Sequence, residues 1–215
     1  MKLYPIKTPR IIKKLFPAIT WSFASNKKNI YLTFDDGPIP QVTEFVLDEL
    51  LKAKAKATFF CIGDNVRKHP EIFARILTEG HSVGNHTFNH LNGWKTSTIS
   101  YLENVDLAED LIQQLNNFVN PQQKLFRPPY GKIKRSQAKE LVKKGYKIIM
   151  WDVLSADFDT KISKEKCLKN VLNNVNDGSI IVFHDSLKAS EKLYYALPVV
   201  LKKLSEKGCS FKAIS

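Results

Sequence analysis

The sequence predicts an α/β protein built on a largely parallel sheet, with seven strands in β/α units that come close to a barrel. Three observations predict it. Short apolar, β-rich runs alternate with stretches of helical periodicity from about residue 29 to the end, which is the rhythm of consecutive β/α units. Three helical stretches end on one device, Glu79-Gly80, Lys144-Gly145 and Lys207-Gly208, each followed within a residue or two by an apolar run. Glycine suits the left-handed turn past a helix C-terminus, so each helix feeds directly into a strand. The chemistry-bearing residues, finally, fall just after the apolar runs, where a parallel β/α architecture gathers its active site.

Taken in order, the strands are expected at 30–34, 57–62, 82–85, 124–127, 147–153, 179–184 and 210–214. Helices are expected at 40–53, 66–79, 98–118, 136–144, 163–175 and 190–207, where apolar residues recur at helical spacing, as in Leu141, Val142 and Tyr146 or Leu168, Val171 and Leu172. No linker, low-complexity segment or repeat interrupts them. The chain of 215 residues, 43% hydrophobic and 25% charged, is long enough for one substantial core. It divides into a basic N-terminal segment, residues 1–28, expected to pack on a single domain spanning 29–215.

Formal charge is +12, and the first sixteen residues supply Lys2, Lys7, Arg10, Lys13 and Lys14 without an acid. Such a segment either contacts an anionic partner, a phospholipid surface or an acidic polymer, or keeps a small protein soluble. No arginine-rich helix, zinc-finger spacing or aromatic RNA-binding signature is present, which argues against nucleic acid, and nothing predicts a protein partner. Cys61, Cys167 and Cys209 are odd in number and scattered, so they read as reduced residues rather than a disulfide or zinc framework. No apolar run reaches the length of a membrane span. Pro5, Pro9 and Lys13-Lys14 break the apolar residues of the N-terminus where a signal peptide would need a continuous core, and the sequence alone therefore suggests a cytoplasmic location while leaving extracytoplasmic action open.

The first strand closes on Thr33-Phe34-Asp35-Asp36-Gly37-Pro38. Adjacent residues of an extended chain point to opposite sides, so the two acids need not share one task. The third strand runs into His86-Thr87-Phe88-Asn89-His90. On a helical turn an i, i+4 pair lies on one face, roughly 5–6 Å apart at Cβ, close enough for both imidazoles to grip one ion. Two histidines and a carboxylate form a common catalytic metal set, with Asp36 as the natural third ligand. Taken singly, the acids could merely cap a turn and the histidines decorate the surface; their joint occurrence at two strand ends favours the metal.

The fourth strand ends in Arg127-Pro128-Pro129-Tyr130-Gly131. Paired prolines fix an extended segment, and the turn after them leaves a backbone N–H free to point into a site, where it can hold an oxyanion. Two later strand ends carry Ser155-Ala156-Asp157-Phe158 and Val182-Phe183-His184-Asp185. A histidine after an apolar strand is well placed as a proton donor, and a neighbouring carboxylate would raise its pKa.

These residues resemble the polysaccharide deacetylases with the NodB homology domain, the fourth carbohydrate esterase family. The likeness runs from about Lys28 to the C-terminus. TFDDGP at 33–38, HTFNH at 86–90, RPPYG at 127–131, the segment ending Asp157-Phe158, and VFHD at 182–185 follow the family's order. The resemblance implies a distorted, NodB-like β/α barrel and a metal-dependent hydrolase that removes N-acetyl groups from an amino-sugar polymer such as peptidoglycan, a chitin-like chain or an exopolysaccharide. It makes Asp35 the general base, Asp36, His86 and His90 the ligands of a divalent metal (zinc, with cobalt or nickel as alternatives), and His184 the general acid. Arg127 would pair with Asp35, Asp157 would orient His184, and the Tyr130 amide would hold the oxyanion.

Substrate contacts would come from Pro129, Tyr130 and Phe158, and from Trp94, which either stacks on a sugar or packs in the core. The sequence departs from the family where Asp-x-x-Asp-Trp becomes Leu154-Ser155-Ala156-Asp157-Phe158, which loses an acid and replaces an indole by a phenyl ring. Two other readings stay open at this level: an O-acetyl esterase acting on xylan-type substrates, and a carbohydrate-binding relative without turnover.

Overall fold

The structure, a computed structural model, describes residues 4–24, 27–115 and 123–215. Lys2 and the last three positions of the expected helix 98–118 lie outside the described residues. In chain order the elements begin with α1 (Arg10–Leu15), β1 (Asn29–Asp35), α2 (Val42–Lys52), β2 (Thr58–Cys61), α3 (Gly63–Lys68), α4 (Pro70–Thr78) and β3 (Ser82–Asn85). They continue with α5 (Thr98–Leu115), β4 (Leu125–Phe126), α6 (Arg135–Lys143), β5 (Lys147–Ile148), β6 (Val153–Leu154), α7 (Lys164–Leu172), β7 (Ile180–His184), α8 (Ser190–Glu206) and β8 (Ser210–Phe211).

The strands form one parallel, curled sheet in the order β5-β4-β3-β2-β1-β7-β6, with β8 paired to the start of β1. β1 is central: Thr33, Phe34 and Asp35 lie opposite Thr58, Phe59 and Phe60 on one side and Val182, Phe183 and His184 on the other. This register brings the carboxylate-bearing end of β1 level with the histidine-bearing end of β7. Beneath it Phe34 stacks on Phe59 at 5.2 Å and on Phe183 at 6.2 Å between ring centroids. α2 closes over this layer with Val42, Val46, Leu47 and Leu50, all buried and each contributing about 1.5–3 kcal/mol of apolar burial. The expected glycine stops are present: Gly80, Gly145 and Gly208 adopt φ of 74°, 86° and 77°.

Two expected elements divide. The stretch 66–79 is not one helix, because Pro70 cannot donate a backbone hydrogen bond and it pushes His69 to φ −133°, ψ 56°. The chain therefore breaks between α3 and α4. The run 147–153 is likewise not one strand, since β5 and β6 lie at opposite ends of the sheet order. Ile149 N–H still donates to Phe126 O on the β4 side, whereas Asp152 N–H donates to Ile180 O on the β7 side. Those residues thus cross from one edge of the open barrel to the other.

The N-terminal segment fills that seam. Thr20 N–H donates to Ile148 O and Met150 N–H to Thr20 O, while Thr8 N–H donates to Asp152 O and Leu154 N–H to Ile6 O. Buried Asp152 accepts from Lys7 at 2.5 Å, Lys13 at 2.6 Å and the Ser179 hydroxyl at 2.5 Å. Burial alone would raise its pKa, but Lys13, Lys7 and Ser179 outweigh burial and hold the carboxyl below the usual range. Two of the N-terminal bases are therefore engaged within the fold, while Arg10 and Lys14 stay exposed beside Ile11 and Leu15 on α1. Asp152→Ala should lower stability by about 1.5–3 kcal/mol, the range for hydrogen bonds to charged groups. The lysines it strands can turn to water, which limits the loss. Denaturant unfolding checks this, and an unchanged midpoint would remove the clamp from the account.

Candidate active site

Arg127, at 0% exposure, is the fixed point of one half of the site. Its Nη1 donates to Asp35 Oδ1 at 2.6 Å and to Thr33 Oγ1 at 2.7 Å. Nε and Nη2 donate to the Ile149 and Met150 carbonyls, and the guanidinium lies 4.1 Å from the centroid of the Phe60 ring. A buried charge is tolerated only when paired and well hydrogen-bonded, and these contacts supply the pairing and engage all three guanidinium nitrogens. Burial pushes the guanidinium pKa down against the opposing pull of Asp35. The result is a carboxylate pinned through one oxygen, at the end of a strand paired on both sides.

Asp36 follows the end of β1 and borders the same cleft as Asp35, because the chain leaves the extended conformation there. Its φ of 88° lies in the left-handed region, a cost that clusters at functional positions. The side chain of Asn65 donates to its carbonyl at 2.7 Å and fixes the turn. Asp36 Oδ1 stands 3.7 Å from His86 Nε2 and 3.3 Å from His90 Nε2. The segment carrying the two histidines is not the helical turn expected from their spacing. Thr87 and His90 have φ of 62° and 55°, so the rings converge, 5.1 Å between centroids, through a turn with two left-handed residues. Asn85, which donates to Val105 O and accepts from Thr87 N–H, and Asn104, which accepts from Phe88 and Asn89, hold this turn in place.

The set suits a divalent cation. Asp36 Oδ1 is buried and has no hydrogen-bond partner among the described residues, a costly state for a carboxylate oxygen that a bound ion would relieve. His86 Nδ1 lies 2.7 Å from Arg127 O. A carbonyl can only accept, so that nitrogen carries the proton and Nε2 presents its lone pair, the arrangement typical of a metal-ligating histidine. Burial, with His90 as a neighbour, pushes the His86 pKa down to about 3, and burial also lowers that of His90, so both rings are neutral near pH 7. Ligand atoms of Asp36, His86 and His90 all lie within 4.8 Å of one another.

His184 sits at the end of β7. Asp157, fully buried, accepts from its backbone N–H at 2.7 Å and from its Nδ1 at 2.7 Å. Burial alone would lower the imidazole pKa, but the Asp157 charge and hydrogen bond, with Asp36 and Asp35 adding to them, raise it to about 10. The imidazolium is therefore present at neutral pH. Phe158 stands edge-on to that ring, 5.1 Å between centroids.

Tyr130 follows Pro129 in a 3₁₀ turn with φ 61°. Its ring lies 4.6 Å from that of His90, and its amide donates to no protein acceptor among the described residues. Together these groups border a cleft of about 460 Å³ whose lining includes Asp35, Asp36, His86, His90, Tyr130 and His184. Phe158 also lines it, whereas Pro129 is buried below and is not among its lining residues. Trp94 lies outside the cleft and outside the core: it is 61% exposed, with its indole N–H donating to Ile133 O at 3.1 Å.

The sequence pattern of the polysaccharide deacetylase family matches residues 24–149. The chain belongs to that family. A peptidoglycan-N-acetylglucosamine deacetylase of Bacillus cereus is 35% identical over 208 residues, covering 94% of this chain and 95% of its own. Among solved structures, a peptidoglycan N-acetylglucosamine deacetylase in complex with 4-naphthalen-1-yl-N-oxidanyl-benzamide superposes with a TM-score of 0.86 at 33% identity, covering 96% of this chain and 95% of that one. The Xyl-CE4 domain of a multidomain xylanase, from the hindgut metagenome of Trinervitermes trinervoides, gives 0.78 at 30% identity and 88% of each chain. A curled barrel of parallel strands with a metal-dependent deacetylase site is thus common ground with this family.

For this deacetylase, sequence reasoning left some supporting residues without a role. Thr33 shares Arg127 Nη1 with Asp35. Asp185, quoted in its motif but given no task, accepts from Gly37 N–H at 3.0 Å and Thr43 Oγ1 at 2.6 Å, and its own amide donates to Asp35 O. Burial raises the Asp185 pKa to about 7. A Cβ built on Gly37 would meet Asp185 Oδ2 at 1.9 Å, which explains the glycine after the paired acids. The signal was present as an acid directly following His184; its partner across the sheet was not.

Proposed function

We propose that the chain removes N-acetyl groups from the amino sugars of peptidoglycan, releasing acetate, with zinc held by Asp36, His86 and His90. The observation that carries this is the buried, unpartnered Asp36 oxygen facing two bare imidazole nitrogens, beside a second carboxylate fixed by a buried arginine. The peptidoglycan deacetylases among its relatives support the polymer. A divalent ion in such a set supplies Lewis acidity, drawing charge from a carbonyl and lowering the pKa of water.

The chain's own residues would do the rest. Asp35, with Oδ1 held by Arg127, takes the proton of the attacking water on its other oxygen. The free Tyr130 amide donates to the oxygen that gains charge as the carbonyl carbon becomes tetrahedral, an interaction worth about 2.7–4 kcal/mol when well aimed. His184, protonated and oriented through Nδ1 by Asp157, gives its Nε2 proton to the sugar nitrogen as the C–N bond breaks, leaving acetate and a free amine. This reading takes residues 29–215 as the deacetylase domain, with the basic segment before it as part of the same unit. No helix among the described residues is long and apolar enough to cross a membrane. With peptidoglycan as the polymer, action is extracytoplasmic, in place of the cytoplasmic location suggested by the sequence alone.

The test is acetate release by zinc-loaded protein from peptidoglycan fragments, chito-oligosaccharides and acetylated xylan. Release from the first two carries the proposal, whereas release from xylan alone would replace it by the O-acetyl esterase. A separate expectation concerns the metal: His86→Ala should bind zinc at least tenfold more weakly, the scale on which even outer-shell changes act. Titration against a chromogenic chelator reads this directly. Unchanged affinity would move the metal elsewhere.

A further inference from the structure

Tyr4 lies outside every motif, yet it lines the same cleft as Asp35, Asp36 and His184. Its hydroxyl donates to Asp159 Oδ2 at 2.5 Å, and its ring leans on Phe158, with centroids 5.5 Å apart and planes at 56°. Phe158 in turn stands edge-on to His184. The backbone that delivers Tyr4 is fixed two and four residues later, where Leu154 N–H donates to Ile6 O and Thr8 N–H to Asp152 O, with the Lys7–Asp152 pair between them. Tyr4 is thus held at the site by its own contacts with Phe158 and Asp159 and by the pairing of the residues after it with Asp152 and Leu154 of the same barrel edge.

Phe158 occupies the position at which the family pattern calls for an indole. A phenyl ring is smaller, and Tyr4 supplies aromatic surface on the side of Phe158, continuing the apolar wall formed with Leu154, Trp151 and Val182. We infer that Tyr4 is a specificity-determining residue: with Phe158 it closes the acyl end of the cleft and favours N-acetyl over larger N-acyl groups. The inference rests on the deacetylase reading. Apolar pockets separate substrates that differ by one methylene by about 10- to 200-fold, and truncating the wall should erase most of that ratio.

The experiment compares kcat/KM for N-acetyl and N-propionyl glucosamine oligomers in the zinc-loaded wild type, Tyr4→Ala, Tyr4→Phe and the double variant Tyr4→Ala/Phe158→Trp. Expected are a preference for acetyl in the wild type and a roughly tenfold smaller one in Tyr4→Ala, near the lower end of that range. Tyr4→Phe should retain the preference because it keeps the ring, and the indole of the double variant should restore it. A purely structural role would lower the thermal midpoint without changing the ratio. A folded Tyr4→Ala whose ratio stays within about twofold of wild type overturns the inference; should that variant not fold, Tyr4→Leu decides by the same ratio. If wild type releases no acyl group from either oligomer, the deacetylase reading fails on its own. Calorimetric binding of the two oligomers then decides for Tyr4: a preference that shrinks in the variant supports it, and equal affinities or no binding overturn it.

Discussion

Asp35→Asn should lower kcat by about two to four powers of ten, the usual contribution of a positioned general base, while leaving zinc content unchanged. The substitution is nearly isosteric, and its carbonyl oxygen can still accept from Arg127 Nη1, the donor that Asp35 Oδ1 now faces at 2.6 Å. What disappears is the second oxygen's capacity to take a proton. Arg127 also loses its counter-charge at 0% exposure. Removing one partner of a buried ion pair costs about 3–5 kcal/mol, and the retained hydrogen bonds to Thr33, Ile149 and Met150 reduce that figure without cancelling it. A lower thermal midpoint is therefore expected beside the kinetic loss. Acetate release, metal analysis and thermal unfolding on one preparation separate the two effects. A folded, zinc-replete variant with kcat within about threefold of wild type would take the base role away from Asp35, because loss of a positioned base exceeds that.

Much of the site was legible because this architecture places chemistry at strand ends, and a strand end is visible as an apolar run that stops on a polar group. Asp35 closing β1 with Asp36 after it, His86 after β3, Arg127 after β4 and His184 closing β7 all have that form. Parallel pairing then brings them together without further information from the sequence. The routes were less legible than the destinations. His86 and His90 converge, but through left-handed residues at Thr87 and His90 that spacing alone cannot reveal.

What the sequence concealed is what depends on distant pairing. The run 147–153 has the composition of a strand, and only the open edge of the barrel shows why it crosses from β4 to β7 instead. Lys7 and Lys13 look like free surface charge until Asp152, more than a hundred residues on, is seen beneath them. Tyr4 and Asp185 were hidden for the same reason. Each acts on residues that the fold, not the chain, makes its neighbours.

The same dependence makes Asp157→Asn the second large effect. Burial lowers the His184 pKa, yet Asp157, with Asp36 and Asp35 adding to it, raises it to about 10. With the charge removed, only Asp36 and Asp35 still oppose burial, the largest influence on this ring, and the imidazole pKa should fall below its ordinary value of about 6.5. At pH 8 the wild type then keeps its imidazolium while the variant has lost it. An acid catalyst in the wrong protonation state forfeits the roughly 10²- to 10⁴-fold it contributes. The basic limb of kcat should accordingly move from near pH 10 to below pH 6.5, with part of the activity returning as the pH is lowered. Stability follows the same sign. A raised folded-state pKa stabilises fully below about 6.5 and ceases to do so as pH rises through about 10. The thermal midpoint of wild type should therefore exceed that of the variant most at pH 6, and the two should approach each other toward pH 10. If the variant keeps the wild-type basic limb, His184 is not the proton donor whose charge Asp157 maintains. If neither the limb moves nor the midpoint gap narrows with pH, the pair acts through geometry and not through charge.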